Sequence, residues 1–205
     1  MPAETTKTGA PQGFAQAARE RLPMLADAAM TSEQRAVAQA LIDGPRKAVY
    51  GPFVALLRSP QLLDPVAKVG EYLRFDSVID ARIRELVICA VARALTNQFE
   101  WLMHASSAVK EGVAQSTINA LYAGARPVDV PADEALALDF TREVLTTHGA
   151  SEPTYNAALE HFGEQGVVEL TTLIGYFAMV SWLMNVAHTP AKADVTGMPL
   201  TAFPG

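Results

Sequence analysis

Residues 80–95, DARIRELVICAVARAL, read as a helix with apolar side chains on every face. Ile83, Val87, Ala90 and Ala94 follow helical spacing, while Leu86, Cys89 and Leu95 cover the remaining sides. A helix of this kind has no face to give to water, so the rest of the chain must wrap around it. The wrapping is expected to be helical too. No hairpin dipeptide and no sustained period-two alternation marks a strand. Helical patterns recur throughout, separated by Gly and Pro. The expected fold class is all-α, a multi-helix bundle.

Around the central segment the pattern places a helix opened by Ser32, with Arg35 three residues later, that ends at DGP, residues 43–45. The loop GPRKAVYGP leads to two short helices over 53–58 and 62–72. GVAQSTINALYAG gives a helix of about two turns ending near Gly124. ARPVDVPAD is a linker, and a helix follows over 133–147. Ser151 and Pro153 cap the next helix, which FGEQG separates from a final apolar one, LIGYFAMVSWLMNVA. The expected organisation is an N-terminal tail over 1–20, one domain over 21–190, and a Pro- and Gly-rich C-terminal tail over 191–205.

A chain of 205 residues, 50 % hydrophobic and 19 % charged, is long enough for one well-filled core and too apolar for disorder. Its net charge of −6 supplies no basic surplus to displace counterions, which argues against nucleic-acid partners. The first ten residues contain no apolar run, and the apolar helix over 173–187 carries Ser181 and Asn185 and is short for a bilayer. No membrane association is therefore expected. Its single cysteine, Cys89, permits neither an intrachain disulfide nor a Cys-x-x-Cys pair and fits a reducing cytoplasm.

The chemistry-bearing stretch is TNQFEWLMHA, residues 96–105. Asn97, Glu100 and His104 are three and four residues apart and stack on one helix face. The same spacing is that of an N-terminal capping box with Asn as cap, so a cap and a proton-handling site are both open readings. Glu85 joins the group only if the chain reverses. Along one unbroken helix it would stand about 28 Å from His104. Thr96 and Asn97, poor inside helices and good at their ends, are where such a break belongs. His148, His161 and His188 lie in no metal-ligand spacing, and no metal is expected. Neither a G-x-S-x-G elbow nor a phosphate loop is present.

An internal echo suggests a helical duplication. Glu85-Leu86 with His104 recurs as Glu169-Leu170 with His188, at an offset of 84 residues. If the echo is structural, residues 78–104 superpose on 162–188.

RELVICAVARALTNQFEWLMHASSAVKEGV resembles the core motif of the carboxymuconolactone decarboxylase and alkyl hydroperoxidase D superfamily: a Glu-Leu helix start, an Ala-rich helix, Glu-Trp-x-x-His, then Ala and Gly. The flanking GPRKAVYGPFVALLRSP, GEYLRF and FGEQGVVEL resemble its longer bacterial members. The resemblance implies packed helices that assemble as trimers or hexamers, and in the hydroperoxidase branch a Cys-x-x-Cys pair assisted by a Glu and a His. Glu85 and His104 match that Glu and His, while Asn97 and Glu100 occupy the cysteine positions. Thiol peroxidase chemistry needs sulfur there and is disfavoured. The decarboxylase branch lacks the cysteines and implies cofactor-independent loss of CO2 from a carboxylated lactone in aromatic degradation. In that reading His104, Glu100 and Glu85 are the catalytic acid–base groups. Asn97 donates to a substrate oxygen, Arg82 or Arg84 holds a carboxylate, and Trp101, Phe99 and Phe53 form the apolar wall. The rivals are another proton-transfer enzyme (isomerase, lactone hydrolase or dehydratase) and a ligand-binding oligomer without chemistry.

Overall fold

The computed structural model describes residues 20–191 and 197–200. Among them every regular element is helical, as the missing strand signals imply. After a single 3-10 turn, Asp27–Ala29, come α1 (Ser32–Asp43), α2 (Pro52–Leu56), α3 (Pro60–Phe75), α4 (Ala81–Ala94), α5 (Gln98–Lys110), α6 (Gln115–Tyr122), α7 (Ala132–Thr147) and α8 (Glu152–Ala187).

The all-apolar helix is central. α4 packs against α5, α6, α7 and α8, with Ile83, Val87, Ile88 and Val91 in the main core and Leu86, Cys89 and Ala92 in a second. All seven are at most 1 % exposed, and each large side chain so buried contributes on the order of 2 kcal/mol. Asp80 caps α4 by accepting from the Arg82 N–H.

Helix ends follow local chemistry, with small departures. α1 is capped by Thr31 rather than Ser32, because Thr31 and Gln34 close a reciprocal capping box that Ser32 and Arg35 cannot. α3 is longer than its 62–72 pattern, since Pro60 sits in the first turn, where a missing N–H costs nothing. Within FGEQG only Gly163 leaves helical geometry, at φ 71°, so α8 is two helices joined at a kink. By length and composition α8 could cross a membrane, but 56 % of its most apolar window is buried within the bundle.

The expected duplication fails. An offset of 84 residues sets Val180-Ser181 against the Thr96-Asn97 break, and α8 runs helical through both. With no break, nothing folds His188 back toward Glu169, whose carboxylate instead accepts from the Tyr72 hydroxyl and the Val78 N–H.

The break itself is a tight closure. The Asn97 N–H donates to the Ala92 carbonyl at 2.8 Å and the Thr96 N–H to that of Arg93 at 3.1 Å, the pair of bonds that ends a helix through a left-handed residue. That residue is Thr96, φ 49°. A β-branched side chain there costs about 1–2 kcal/mol. The described part of the C-terminal tail docks on this corner. Gln98 Nε2 donates to the Leu200 carbonyl and Gln98 Oε1 accepts from the Leu200 N–H, both at 2.8 Å, and Leu200 is fully buried in the second core.

Candidate active site

The reversal at Thr96-Asn97 lays α5 along α4 and brings two carboxylates to opposite sides of one imidazole. His104 Nδ1 stands 2.7 Å from Glu85 Oε2, and Nε2 stands 3.2 Å from Glu100 Oε2. The three side chains are 8 %, 15 % and 5 % exposed, in the order His104, Glu85, Glu100. The Phe177 ring packs edge-on against the imidazole at 5.4 Å.

With a carboxylate at each nitrogen, the ring satisfies both neighbours only as an imidazolium donating twice. Burial opposes that charge, but the Glu85 charge and the hydrogen bonds to Glu100 and Glu85 outweigh it and push His104 up to about 9. At neutral pH the group holds its proton. The charged ring then links the Glu85 and Glu100 carboxylates. Because the carboxylates lie on opposite sides of the ring, the three cannot converge on one ion. Among the described residues no other group of three or more His, Cys, Asp or Glu could hold one either.

His104 and Glu100, but not Glu85, line a small cavity of about 60 Å³ between α5, α8 and the α1–α2 loop. Its walls include Phe53, Phe99, Tyr176 and Phe177, and two cations, Arg46 and Arg74, complete it. Tyr176 closes in on α3 at Gly70, where a Cβ would stand 2.2 Å from the tyrosine oxygen. Burial pushes the Tyr176 phenol up to about 12, so it stays protonated. Gly51, φ 58°, turns the loop onto Phe99, whose ring a Cβ would meet at 2.6 Å.

Four residues expected at the site lie elsewhere. Arg82 is spent on Asp133 and Glu134, tying the start of α4 to the start of α7. Arg84 donates to the Ile79 carbonyl at its own helix start. Trp101 faces the second core and donates to the Met198 carbonyl at 3.2 Å. Asn97 is the cap. Its Oδ1 accepts from the Glu100 N–H at 2.9 Å, and its Nδ2 donates to Asn185 Oδ1 and the Ser181 carbonyl. The capping and site readings thus divide between residues: Asn97 holds the helix start, and Glu100 faces the cavity. Phe53 and Phe99 line the cavity, as expected of wall residues. Arg46, Arg74, Tyr176 and Phe177 were missed. Arg46 and Arg74 lie in GPRKAVYGP and GEYLRF, segments already marked by the resemblance, and Tyr176-Phe177 in an apolar helix read only as core.

Cys89 is fully buried in the second core, and desolvation together with the Glu85 and Glu100 charges pushes its thiol well above the usual range. It offers no thiolate.

The model of the carboxymuconolactone decarboxylase family matches residues 60–143. Comparison with curated protein sequences finds no match. Solved structures that share the fold include the following two. One is an alkylhydroperoxidase AhpD core, an uncharacterized peroxidase-related protein from Ralstonia eutropha JMP134. It is 18 % identical with a TM-score of 0.68, and the match covers 85 % of this chain and 93 % of that one. The other, an uncharacterized peroxidase-related protein from Silicibacter sp. TM1040, is 16 % identical with a TM-score of 0.67, covering 93 % and 97 %. The family model lies over the segment that carries Glu85, Glu100 and His104, and the helical fold is shared over most of the chain. Over residues 60–143 the chain is thus similar to the carboxymuconolactone decarboxylase family, and its helical fold is that of the alkylhydroperoxidase AhpD core.

Proposed function

We propose that the protein is a cofactor-independent acid–base enzyme, a carboxy-lyase acting on a small carboxylated lactone. The observation that carries the reading is the imidazolium of His104 clamped between Glu85 and Glu100, with only Glu100 and His104 open to a cavity. In the reaction the bond from carbon to the departing carboxylate breaks and CO2 leaves. The electron pair spreads through the adjacent double bond onto the lactone carbonyl. Glu100 receives the Nε2 proton of His104 and passes it to the electron-rich carbon, and solvent later restores it. Glu85 orients the ring and keeps its charge available. Positioned proton transfer of this kind is worth about 10²–10⁴-fold.

A cavity of about 60 Å³ holds roughly two waters, whereas sites for small molecules usually run to about 300–1,000 Å³. A lactone acid enters only if the 47–51 segment, left-handed at Lys47 and Gly51, swings outward while Arg46 stays in place. The same tightness favours, as a second reading, proton transfer on a smaller substrate such as an isomerisation. Thiol peroxidase activity is disfavoured by Asn97 and Glu100 at the two sulfur positions and by the buried, protonated Cys89.

The test is turnover of a γ-carboxylated butenolide acid, followed by CO2 release, in Glu100→Gln and His104→Gln. Both are expected to fall at least a hundredfold with an unchanged helical circular-dichroism spectrum. Unaltered turnover in either variant defeats the mechanism. The protein is also proposed to act as a cytoplasmic homo-oligomer. The exposed stripe of Val168, Met179, Trp182 and Val186 along α8 supports self-association.

A further inference from the structure

We propose that Arg46 and Arg74 form the subsite that grips an acid group of the substrate, so that the cavity selects small carboxylate anions. The inference rests on the cavity beside His104 being the active site. Arg46 is held in it with unusual economy. Its side chain is 5 % exposed, and its guanidinium carbon lies over the Phe53 ring, 4.3 Å from the ring centre. Nη2 donates to the Ala67 carbonyl at 3.3 Å. The nearest carboxylate, Glu71, stands 3.7 Å from Nε, beyond hydrogen-bond range, and the buried Nε donates to nothing. A desolvated guanidinium left so short of acceptors is costly unless an anion comes to it.

Arg74 lines the same cavity from α3. Its guanidinium lies 5.2 Å from the Phe75 ring centre, and it forms no ion pair among the described residues. With His104 charged, the lining carries three positive groups, Arg46, Arg74 and His104, against the single carboxylate of Glu100. The imidazolium is already spoken for by Glu85 and Glu100. The arginines are the donors left for a ligand, and a planar fork is suited to two carboxylate oxygens.

The chemistry also says which acid group they hold. A guanidinium on the departing carboxylate would stabilise the charge that must leave, binding the ground state better than the transition state. The arginines therefore anchor a carboxylate that survives the reaction, while Glu100 and His104 work on the reacting carbon.

Acetate is small enough to enter the cavity as it stands, and acetamide is its neutral counterpart. Binding of each to the full chain is followed by NMR shifts of the His104 and Phe177 resonances. Acetate is expected to bind and acetamide not. Arg74→Gln, half-buried and removable without disturbing the core, and Arg46→Gln are each expected to weaken acetate at least tenfold. Arg46→Lys keeps a charge at the site should the Gln variant fold poorly, and is expected to bind more weakly than wild type but more tightly than Arg46→Gln. Glu100→Gln removes the one like charge and is expected to tighten acetate several-fold. Equal binding of acetate and acetamide, or acetate affinity unchanged in Arg74→Gln and Arg46→Lys, overturns the proposal. Turnover plays no part in these measurements. Loss of activity in Glu100→Gln alongside arginine-independent acetate binding sinks the subsite alone. Arginine-dependent binding with no effect of Glu100→Gln on turnover sinks the proton-transfer reading alone.

Discussion

Raising the pH from 6 to 9 should destabilise this protein through one residue. His104 is held at about 9 in the folded state, against about 6.5 in an unfolded chain. The native state therefore binds that proton more tightly. The stabilisation is fully present below about pH 6.5 and drains away as pH climbs through about 9. About two and a half pKa units at roughly 1.4 kcal/mol each give on the order of 3 kcal/mol, nearly all of it lost over this range. With a urea slope of about 2–3 kcal/mol/M, the unfolding midpoint should drop by about 1 M. The assay is urea denaturation at fixed ionic strength and fixed protein concentration, at pH 6, 7, 8 and 9. His104→Gln should lose the slope above pH 7, which separates this residue from the general titration of the surface. A direct check is the imidazole resonance of His104, expected to titrate near 9. A midpoint constant across the range, or an imidazole deprotonating at 6 to 7, would show that the two carboxylates do not hold the ring charged.

Asn97→Ala removes the α5 cap and two bonds to α8, leaving Asn185 Oδ1 short of a donor. It should cost about 2–4 kcal/mol in chemical denaturation, with specific activity of the folded fraction retained because Asn97 does not face the cavity. Gly70→Ala drives a methyl into the Tyr176 hydroxyl and the Arg46 guanidinium. A loss of about 1–3 kcal/mol is expected, read by thermal unfolding. Leu200→Ala opens a cavity in the second core, which also holds Cys89, with an expected cost of about 2–4 kcal/mol. Native Cys89 should be silent to a thiol reagent over hours, and the variant should react measurably faster.

The all-α class and the central position of α4 were legible because a helix apolar on every face admits no other placement. The reversal at Thr96-Asn97 was legible because two residues unsuited to helix interiors interrupt an otherwise continuous pattern. From it followed the meeting of Glu85, Glu100 and His104. Other features were hidden for physical reasons. Whether an arginine faces a cavity or a neighbouring helix depends on the rotation of α4 and α3 about their axes. Arg82 reaches across to the start of α7 and Arg84 back to its own helix start, while Arg46 and Arg74 are brought in by tertiary packing. The 84-residue echo misled because two residue pairs at equal spacing say nothing of the backbone between them. One pair straddles a break, and the other sits on a continuous helix. Local propensity likewise gave no sign that Leu200, beyond a Pro- and Gly-rich stretch, would lock into the body through Gln98.

Asn97 is tethered to Ser181 and Gln98 to Leu200, 84 and 102 residues away. The two positions that set the direction of the first turn of α5 therefore take their bearings from segments synthesised 84 and 102 residues later. During synthesis Glu85, Glu100 and His104 all emerge long before these anchors exist, so the three side chains are brought together only after the later segments have docked. A nascent chain stalled before residue 180 should be helical yet inert, and damage to the segment around Leu200 should disturb a site encoded some hundred residues earlier.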